Sequence, residues 1–464
     1  MRISPLADDL ARLFAQAGHR LYLVGGSVRD ALLGRLSSDL DFTTDALPEQ
    51  VLGIVSRWAD AVWETGIEFG TVGITKRGAT LEITTFRADT YDRVSRNPEV
   101  RFGDSIEGDL LRRDFTVNAM AIELSTKQFV DPHNGLAALA DRVLDTPATP
   151  QESFADDPLR MLRAARFVSQ LGFSPAPRVV EAMREMAGEI DRITAERVQT
   201  ELSKLLTGAH PRRGLELMVD TGLAERVLPE MPGMRLAIDE HHQHKDVYQH
   251  SLTVLEQAIA LEKRDDPDAE PDLVLRLAAL LHDIGKPATR RFEPGGGVSF
   301  HHHEVVGAKI VRKRLRALRY SKQIVDDVSQ LVFLHLRFHG YGKGEWTDSA
   351  VRRYVTDAGP LLSRLHKLVR ADCTTRNKRK AAALQRTYDE LEERITRIAA
   401  EEDLARVRPD LDGNEIMKLL NLPPGPLVGQ AWRYLKELRL DRGPLSHEEA
   451  VAELRRWAEE NGIG

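Results

Sequence analysis

The amino-acid sequence predicts an α+β protein, in which a mixed α/β head at the N-terminus is followed by an elongated all-α body. Two observations support this fold class. Between residues 20 and 145, β-prone runs such as 71–75 and 81–86 alternate with helical stretches, which predicts strands and helices in one domain. From about Ser153 onward, apolar residues recur at the i, i+3, i+4 spacing of helices, and Pro and Gly separate the segments.

The length of 464 residues allows roughly two to four domains, and 42% hydrophobic residues suit folded cores. Breaks in the pattern predict a head at 1–145, a helical neck that binds RNA at 146–232, a third domain at 233–376 and a helical tail at 377–464. The net charge of −6 excludes a uniformly basic nucleic-acid binder.

The targeting features predict a cytoplasmic protein without a membrane partner. A single cysteine, Cys373, excludes an intramolecular disulfide and suits a reducing compartment. No apolar run approaches the ~20 residues that span a bilayer, and residues 1–18 lack an apolar signal core. The sequence makes no prediction of the oligomeric state.

The first chemical motif is a glycine pair between a strand and a helix. The apolar run 21–24 predicts a short buried strand, after which Gly25 and Gly26 lead into a helix over 28–33. Backbone N–H groups at such a turn can hold phosphate oxygens, and glycine lets the phosphate approach closely. Because Arg29 adds a cation, Gly26 and Arg29 are candidate triphosphate-binding residues.

Two acids follow on a second predicted strand. The period of two along Asp39-Leu40-Asp41 places both carboxylates on one face. Neighbouring carboxylates require a neutralising cation, and Mg²⁺ prefers oxygen ligands and commonly bridges acids and substrate phosphates. Each motif alone is common in turns and loops, but their order along the chain predicts a Mg²⁺ site for nucleotidyl transfer.

A third candidate is a helix predicted over 157–166, which carries Asp157, Arg160, Arg163 and Arg166 at a stride of three. This stride can direct all four side chains into one cleft, although it also suits a salt-bridged surface helix. A carboxylate only accepts hydrogen bonds, and a guanidinium only donates them. Asp157 and Arg160 would therefore select an exocyclic amino group beside an unprotonated ring nitrogen, which cytosine and adenine offer and uracil and guanine do not.

Five sequence blocks together resemble the class II CCA-adding tRNA nucleotidyltransferases of the polymerase-β-like superfamily. They are GGSVRD at 25–30, DLD at 39–41, LRRDFTVNAMAI at 111–122, DDPLRMLRAARF at 156–167 and ITAERVQTEL at 193–202. The resemblance implies untemplated addition of CMP, CMP and AMP from CTP and ATP to the tRNA 3′ end, with release of pyrophosphate. It also implies Mg²⁺ in the head.

The same resemblance implies roles for single residues. It assigns catalysis and metal binding to Asp39 and Asp41, and nucleotide binding to Gly26, Arg29, Arg113, Asp114, Asn118, Asp157, Arg160, Arg163 and Arg166. The family often has Glu-Asp where this chain has Asp156 and Asp157, which leaves the templating acid intact. Glu82, on a predicted strand, could be a third acid near the metals but is expected to be structural. The resemblance also implies that a loop over 87–104 assists the switch from C to A addition.

A second group of ligand-type side chains lies in the helical body. The order His250, His282, Asp283, Asp372 resembles the HD-superfamily phosphohydrolases, in which these residues bind a divalent metal. Imidazole and carboxylate ligands suit transition metals or Mg²⁺, so the ion is not identified by the sequence. Further candidate ligands or phosphate contacts are His303, His335 and His339. Phosphohydrolase activity of this site stays open.

The tail resembles the helical tails of bacterial relatives with HD modules, and we expect it to grip the tRNA elbow. Three alternatives to full CCA addition remain. A poly(A) polymerase shares the head, although the span 34–38 lacks the basic stretch with Phe that is typical of that enzyme. Partial enzymes that add only CC or only A share every block. The third alternative is an HD hydrolase of nucleotides or cyclic phosphates with an RNA-binding head.

Overall fold

The computed structural model describes residues 5–35, 39–64, 66–87, 102–103, 105–236, 246–294, 297–338, 346–373, 378–402 and 408–463. The chain divides into two compact units, Met1–Pro229 and Glu230–Gly464. The first unit carries a mixed seven-stranded sheet, and the described part of the second is helical apart from one short hairpin. This confirms the predicted α+β fold class, while the predicted boundaries at 145, 232 and 376 stay predictions.

The head is built around the mixed sheet. Its elements are α1 (Pro5–Gln16), β1 (Leu21–Val24), α2 (Gly26–Leu32), β2 (Asp39–Thr44), α3 (Pro48–Val55), β3 (Ala61–Trp63), β4 (Thr71–Lys76), β5 (Ala79–Thr85), α4 (Ile106–Leu111), β6 (Ala121–Glu123), β7 (Phe129–Val130) and α5 (Gly135–Asp141). The strand order is β3-β4-β5-β2-β1-β6-β7, with β2 and β5 parallel and the other neighbours antiparallel. The whole of β1 is buried between β2 and β6, which explains its unbroken apolar run.

Six helices complete the first unit. They are α6 (Pro150–Asp156), α7 (Leu159–Leu171), α8 (Pro177–Met186), α9 (Ala195–Leu206), α10 (Pro211–Asp220) and α11 (Leu223–Val227), and the short parallel strands β8 (Val143–Leu144) and β9 (Ser174–Pro175) flank α6 and α7 in the chain. Helix α7 packs against α9 and α10, and its residues Met161 and Leu162 are buried.

The helix predicted over 157–166 is wrong at its first residue. Asp157 has an extended backbone, with φ −142° and ψ 100°, and separates α6 from α7, which begins only at Leu159. The cause is Pro158, because a proline ring disfavours helical geometry in the residue before it. Asp157 therefore lies at the junction of two helices and not within a helix.

The second unit supplies twelve described helices. They are α12 (Glu230–Gly233), α13 (Val247–Asp265), α14 (Leu273–Leu281), α15 (Lys286–Thr289), α16 (His303–Ala317), α17 (Lys322–Leu334), α18 (Asp348–Ala358), α19 (Leu362–Asp372), α20 (Lys378–Glu402), α21 (Gly413–Leu420), α22 (Pro426–Arg442) and α23 (His447–Glu460), with the hairpin β10 (Arg291–Phe292) and β11 (Val298–Ser299). Helices α21 to α23 share a core around Leu435, Leu454 and Trp457. Among all described helices, none is both long enough and apolar enough to cross a bilayer.

Candidate active site

The Gly-Gly turn brings Arg113 beside the acidic strand. Gly25 has φ 68°, and a Cβ there would come within 2.8 Å of Arg113 Nη1, so a larger residue would displace this cation. Arg113 is held from the other side by Asp109, whose Oδ2 lies 3.2 Å from Nη2. Asp41 Oδ2 lies 3.9 Å from the same Cβ position. The turn, the guanidinium and the acid therefore share one small volume at the end of β1.

Three carboxylates lie on one face of β2 and β5. Asp39 and Asp41 lie two residues apart on β2, and both are exposed. Asp41 is the direct register partner of Glu82 on the neighbouring strand β5. Partial burial raises the pKa of Asp41, although the positive charge of Arg113 lowers it. The negative charges of Glu82 and Asp39 raise this pKa further. Acids that repel one another in this way fit a divalent cation that prefers oxygen ligands.

Glu82 is a candidate functional residue that sequence reasoning treated as structural. Its signal in the sequence is its position between the buried Leu81 and Ile83, which places it on the opposite, exposed face of the strand. Its proximity to Asp41 depends on β5 lying next to β2, and the local sequence does not specify this pairing.

A chain of hydrogen bonds runs from α2 to α7. Arg29 Nη1 donates to Asn118 Oδ1 (2.7 Å), and Asn118 Nδ2 donates to Asp114 Oδ1 (3.0 Å). Arg163 Nε donates to Asp114 Oδ2 (2.8 Å). Burial alone would raise the pKa of Asp114, but Arg163 and the hydrogen bond from Asn118 lower it well below its usual value. The structure thus joins four of the predicted nucleotide-binding residues around one buried, ionised carboxylate.

Arg166 has an internal position. It is buried, its Nη1 lies 3.0 Å from Glu201 Oε2 on α9, and its guanidinium carbon lies 4.4 Å from the centre of the Phe167 ring. Arg163 shares this buried acid, since its Nη1 lies 3.9 Å from Glu201 Oε1. The expectation that Arg166 opens into one cleft with the other three side chains, and its part in nucleotide binding, stay predictions.

The two predicted base readers, Asp157 and Arg160, are held by separate partners. Asp157 Oδ1 accepts a hydrogen bond from the backbone N–H two residues further on (3.1 Å), and Oδ2 accepts one from Arg197 Nη2 (2.8 Å). Arg160 donates through Nη1 to Ser153 Oγ (2.9 Å) and through Nη2 to the carbonyl of Arg112 (2.6 Å). Both side chains are thus oriented by the protein itself.

In the second unit, the predicted HD ligands come together. Two groups of three bring their ligand atoms within 4.8 Å of one another: His250, His282 and Asp372 in one, and Asp283, His303 and His335 in the other. Asp283 lies between them, since its Oδ2 is 3.2 Å from His282 Nε2 and its Oδ1 is 3.2 Å from His303 Nε2. His339 and most of the loop predicted over 87–104 lie outside the described residues.

Three of these histidines present the same ring nitrogen, Nε2, to the other ligand residues of the cluster. Nδ1 of His282, His303 and His335 lies 2.9, 2.8 and 2.6 Å, respectively, from a backbone carbonyl oxygen. Because a carbonyl only accepts, Nδ1 carries the proton and Nε2 of a neutral ring is left to bind a metal. Nε2 of His303 lies 3.3 Å from Nε2 of His335, an arrangement that a shared cation would favour.

The charges of this cluster also fit a cation. Burial alone would lower the pKa of His282, but Asp283 and Asp372 raise it to about 10. Burial lowers the pKa of His335 to about 3, and the charge of His282 adds to this effect. Asp283 Oδ2 is buried and lies 3.2 Å from His282 Nε2 and 3.0 Å from the Lys286 ammonium. A divalent cation would replace the proton on His282 and bind the carboxylates of Asp283 and Asp372, so the residues fit a metal.

The fold and the acidic face define a class of protein. The mixed sheet, with its Gly-Gly turn and acids on adjacent strands, agrees with the polymerase-β-like nucleotidyltransferase head that the sequence blocks resemble. Three family models match the chain: the poly A polymerase head domain at 21–145, the probable RNA and SrmB-binding site of polymerase A at 172–234, and the HD domain at 247–399. The resemblances drawn from the sequence blocks are thereby confirmed.

The chain belongs to the tRNA nucleotidyltransferase family and is an enzyme of that class. It is 36% identical to the A-adding tRNA nucleotidyltransferase of Deinococcus radiodurans, over 94% of this chain and 95% of that one. It is 43% identical to the CCA-adding enzyme of Levilactobacillus brevis, over 47% of this chain. The chain spans about half the length of this relative, 54%.

A solved structure matches over the full length. The crystal structure of the Bacillus stearothermophilus CCA-adding enzyme in complex with CTP superposes with a TM-score of 0.69 at 26% sequence identity. The match covers 99% of this chain and 100% of that one. The similarity therefore extends beyond the head to the helical regions that follow it.

Proposed function

We propose that this enzyme adds the 3′-terminal CCA to tRNA, using CTP and ATP and releasing pyrophosphate. The observation that carries this proposal is the hydrogen-bonded chain from Arg29 to Arg163. It connects the region of the acidic face to α7, the helix that carries the base reader Arg160. A single substrate nucleotide has its triphosphate at one end and its base at the other. A site for both ends, built from connected residues, suits selection of a nucleotide without a nucleic-acid template.

At the phosphate end, Asp39, Asp41 and Glu82 would hold Mg²⁺ through their carboxylate oxygens. When bound, the metal would stabilise the negative charge on the oxygen of the attacking 3′-hydroxyl and on the departing pyrophosphate. Arg29 and Arg113 would bind the triphosphate, and Asn118 and Asp114 would fix Arg29 and Arg163 relative to each other. The 3′-oxygen of tRNA then bonds to the α-phosphorus as the bond to pyrophosphate breaks.

At the base end, Asp157 accepts from an exocyclic amino group, and Arg160 donates to the neighbouring ring nitrogen. Uracil and guanine reverse this pattern and would leave both protein groups without partners. Each buried polar group left unmatched costs about 1–3 kcal/mol, which is enough to reject them. Because cytosine and adenine share the required pattern, this pair alone does not decide between CCA addition and addition of A alone.

Addition of A alone is the second candidate, because the relative that aligns with 94% of this chain is an A-adding enzyme. The deciding experiment offers CTP and ATP singly and together to tRNA that ends at the discriminator base, and to tRNA that ends in CC. Full CCA addition predicts C incorporation on the first tRNA and a stop after three nucleotides. Addition of A alone predicts one A on the second tRNA only, and a long A ladder would indicate a poly(A) polymerase.

We also propose a metal-dependent phosphohydrolase site in the HD region. What supports it is the pair of three-residue groups, which Asp283 of the second group connects through its contact with His282 of the first. This arrangement suits two divalent ions. The ligand set fits a transition metal or Mg²⁺. Purified protein loaded with Mn²⁺, Ni²⁺ or Mg²⁺ should hydrolyse p-nitrophenyl phosphate or 2′,3′-cyclic nucleotides, and Asp39→Ala should retain this hydrolysis while losing nucleotide addition. Binding of the tRNA elbow by the tail, and a cytoplasmic location, complete the proposal.

A further inference from the structure

The carboxylate of Asp157 is fixed from two sides. On one side, Oδ1 accepts from the backbone N–H of Leu159 at 3.1 Å, so the start of α7 holds it. On the other side, Oδ2 accepts from Nη2 of Arg197 at 2.8 Å. Arg197 belongs to the first turn of α9, forty residues away in the chain. The base-reading acid is therefore oriented by an element that supplies no predicted base contact.

The second base reader has independent anchors. Arg160 is held by Ser153 on α6 and by the carbonyl of Arg112 at the end of α4. A change at Arg197 should thus leave Arg160, the donor of the base-reading pair, in place. Only the carboxylate of Asp157, the acceptor, should lose its orientation, because the terminal torsion of an aspartate is broad and a carboxylate with one anchor removed samples more angles.

Each carboxylate oxygen has two acceptor positions, and the two hydrogen bonds described above occupy one position on each. The remaining positions point in directions that these two bonds determine. We propose that Arg197 is a positioning residue for base selection, which aims the free acceptor position of Asp157 at the exocyclic amino group of cytosine or adenine. This inference rests on the proposed function, and it deepens the account of specificity at the same site.

The exposure of the pair separates this role from a structural one. The side chain of Arg197 is 48% exposed, and an ion pair so accessible to solvent contributes little to stability. A matched pair exists elsewhere in the first unit. Arg226 lies 3.1 Å from Asp191, and its side chain is 50% exposed. Arg226→Ala therefore removes an arginine of matching exposure from an ion pair that does not involve Asp157, although Asp191 is more exposed than Asp157.

The experiment compares the wild type with Arg197→Ala, Arg197→Lys and Arg226→Ala. Single-nucleotide addition is measured with CTP and with 2-pyrimidinone ribonucleoside triphosphate, which lacks the amino group, on tRNA without CCA. ATP and purine ribonucleoside triphosphate are compared in the same way on tRNA ending in CC. We expect Arg197→Ala to lower the preference for the amino-bearing nucleotide in kcat/KM about tenfold, the effect of one hydrogen bond. Arg197→Lys should restore part of it, and Arg226→Ala should leave it unchanged.

Two results would overturn the proposal. One is an unchanged preference in Arg197→Ala, and the other is a lower KM for CTP and ATP, which would make Arg197 a competitor for Asp157. If the wild type adds no nucleotide, the proposed function fails. Equilibrium binding of CTP and its 2-pyrimidinone analogue then decides the inference. A wild-type preference for CTP that Arg197→Ala lowers supports it, and the same ratio of the two affinities in both proteins refutes it.

Discussion

The two candidate sites differ in how far the protein assembles them by itself. In the head, Asp39, Asp41 and Glu82 lie exposed on one face of the sheet. In the HD region, His282, Asp283 and His335 are almost fully buried, and each group of three has its ligand atoms within 4.8 Å. The head has the open arrangement that a substrate-borne metal requires, whereas the HD region has the closed arrangement of a resident one.

The difference has a physical reason. A transfer site must admit both a triphosphate and the 3′ end of a polynucleotide, which requires acids that face the solvent. On the proposed function, these acids gain their cation together with the substrate. In the HD cluster, buried acids and imidazoles are costly without a cation, because desolvation penalises every unmatched charge. Metal removal should therefore affect the HD region in the resting protein and the head only during turnover.

The largest effect is expected from Asp41→Asn. Losing one carboxylate of the acidic face removes metal stabilisation of several kcal/mol, so nucleotide addition should fall by about 100-fold or more. Primer-extension rates measure this directly. Metal content and phosphatase activity of the same preparation serve as controls and should stay at the wild-type level. A parallel loss of phosphatase activity would show that the two sites are not separate.

Asp283→Ala tests the buried cluster of candidate metal ligands in the HD region. Because Asp283 lies between the two groups, its loss should release metal from both, whereas His335→Ala should disturb only one group. After dialysis, elemental analysis should find about two ions per chain in the wild type, one in His335→Ala and none in Asp283→Ala. Nucleotide addition should be unaffected in both variants. Equal metal content in all three proteins would contradict the arrangement.

Sequence reasoning succeeded where the signal was local. The strands of the head follow from period and composition, and the order of His and Asp residues in the HD region indicated a cluster that the structure does assemble. It failed where contacts cross the chain. Glu82 joins Asp41 only because β5 lies beside β2, and Arg197 reaches Asp157 only because α9 packs on α7.

The conformation of Asp157 follows from a local rule. Pro158 biases the residue before it away from helical geometry, which places Asp157 outside the helix predicted over 157–166. The extended backbone is what lets the Asp157 side chain accept from the N–H of Leu159 at the start of α7. The local rule for proline therefore also explains half of the orientation of the candidate base reader.

A smaller effect is expected from Asp114→Asn, at the centre of the hydrogen-bonded chain in the head. The folded-state pKa of Asp114 lies below its unfolded value, so its ionised form stabilises the fold above about pH 4 and this contribution is lost as pH falls below that value. Arg163 is partly exposed, so the loss at pH 7 should be about 1–3 kcal/mol.

Urea unfolding of the first unit, followed at pH 7, 5, 4 and 3, measures this contribution. The difference between wild type and Asp114→Asn should be constant from pH 7 to 5 and should shrink below pH 4. The HD cluster should show no change in metal content. A difference that stays constant down to pH 3 would mean that Asp114 contributes through hydrogen bonds alone.

The smallest effects should come from matched helix caps in the two units. Thr149 Oγ1 accepts from the N–H of Glu152 at the start of α6, and Asp246 Oδ1 accepts from the N–H of Gln249 at the start of α13. Replacing either cap by alanine should lower the local opening free energy of its helix by about 1 kcal/mol, measured by amide hydrogen exchange.

The functional readouts of these two caps should nevertheless differ. Helix α13 carries His250 in its first turn, so Asp246→Ala should disturb a ligand of the preassembled cluster and weaken metal binding by up to about tenfold. Asp157, by contrast, is fixed by Arg197 and by the start of α7. Arg160 contacts Ser153 on α6 but is also held by the carbonyl of Arg112. Thr149→Ala should therefore change nucleotide addition less than about twofold. Equal functional losses would mean that the head is also assembled before its substrates arrive, and the contrast between the two sites would then disappear.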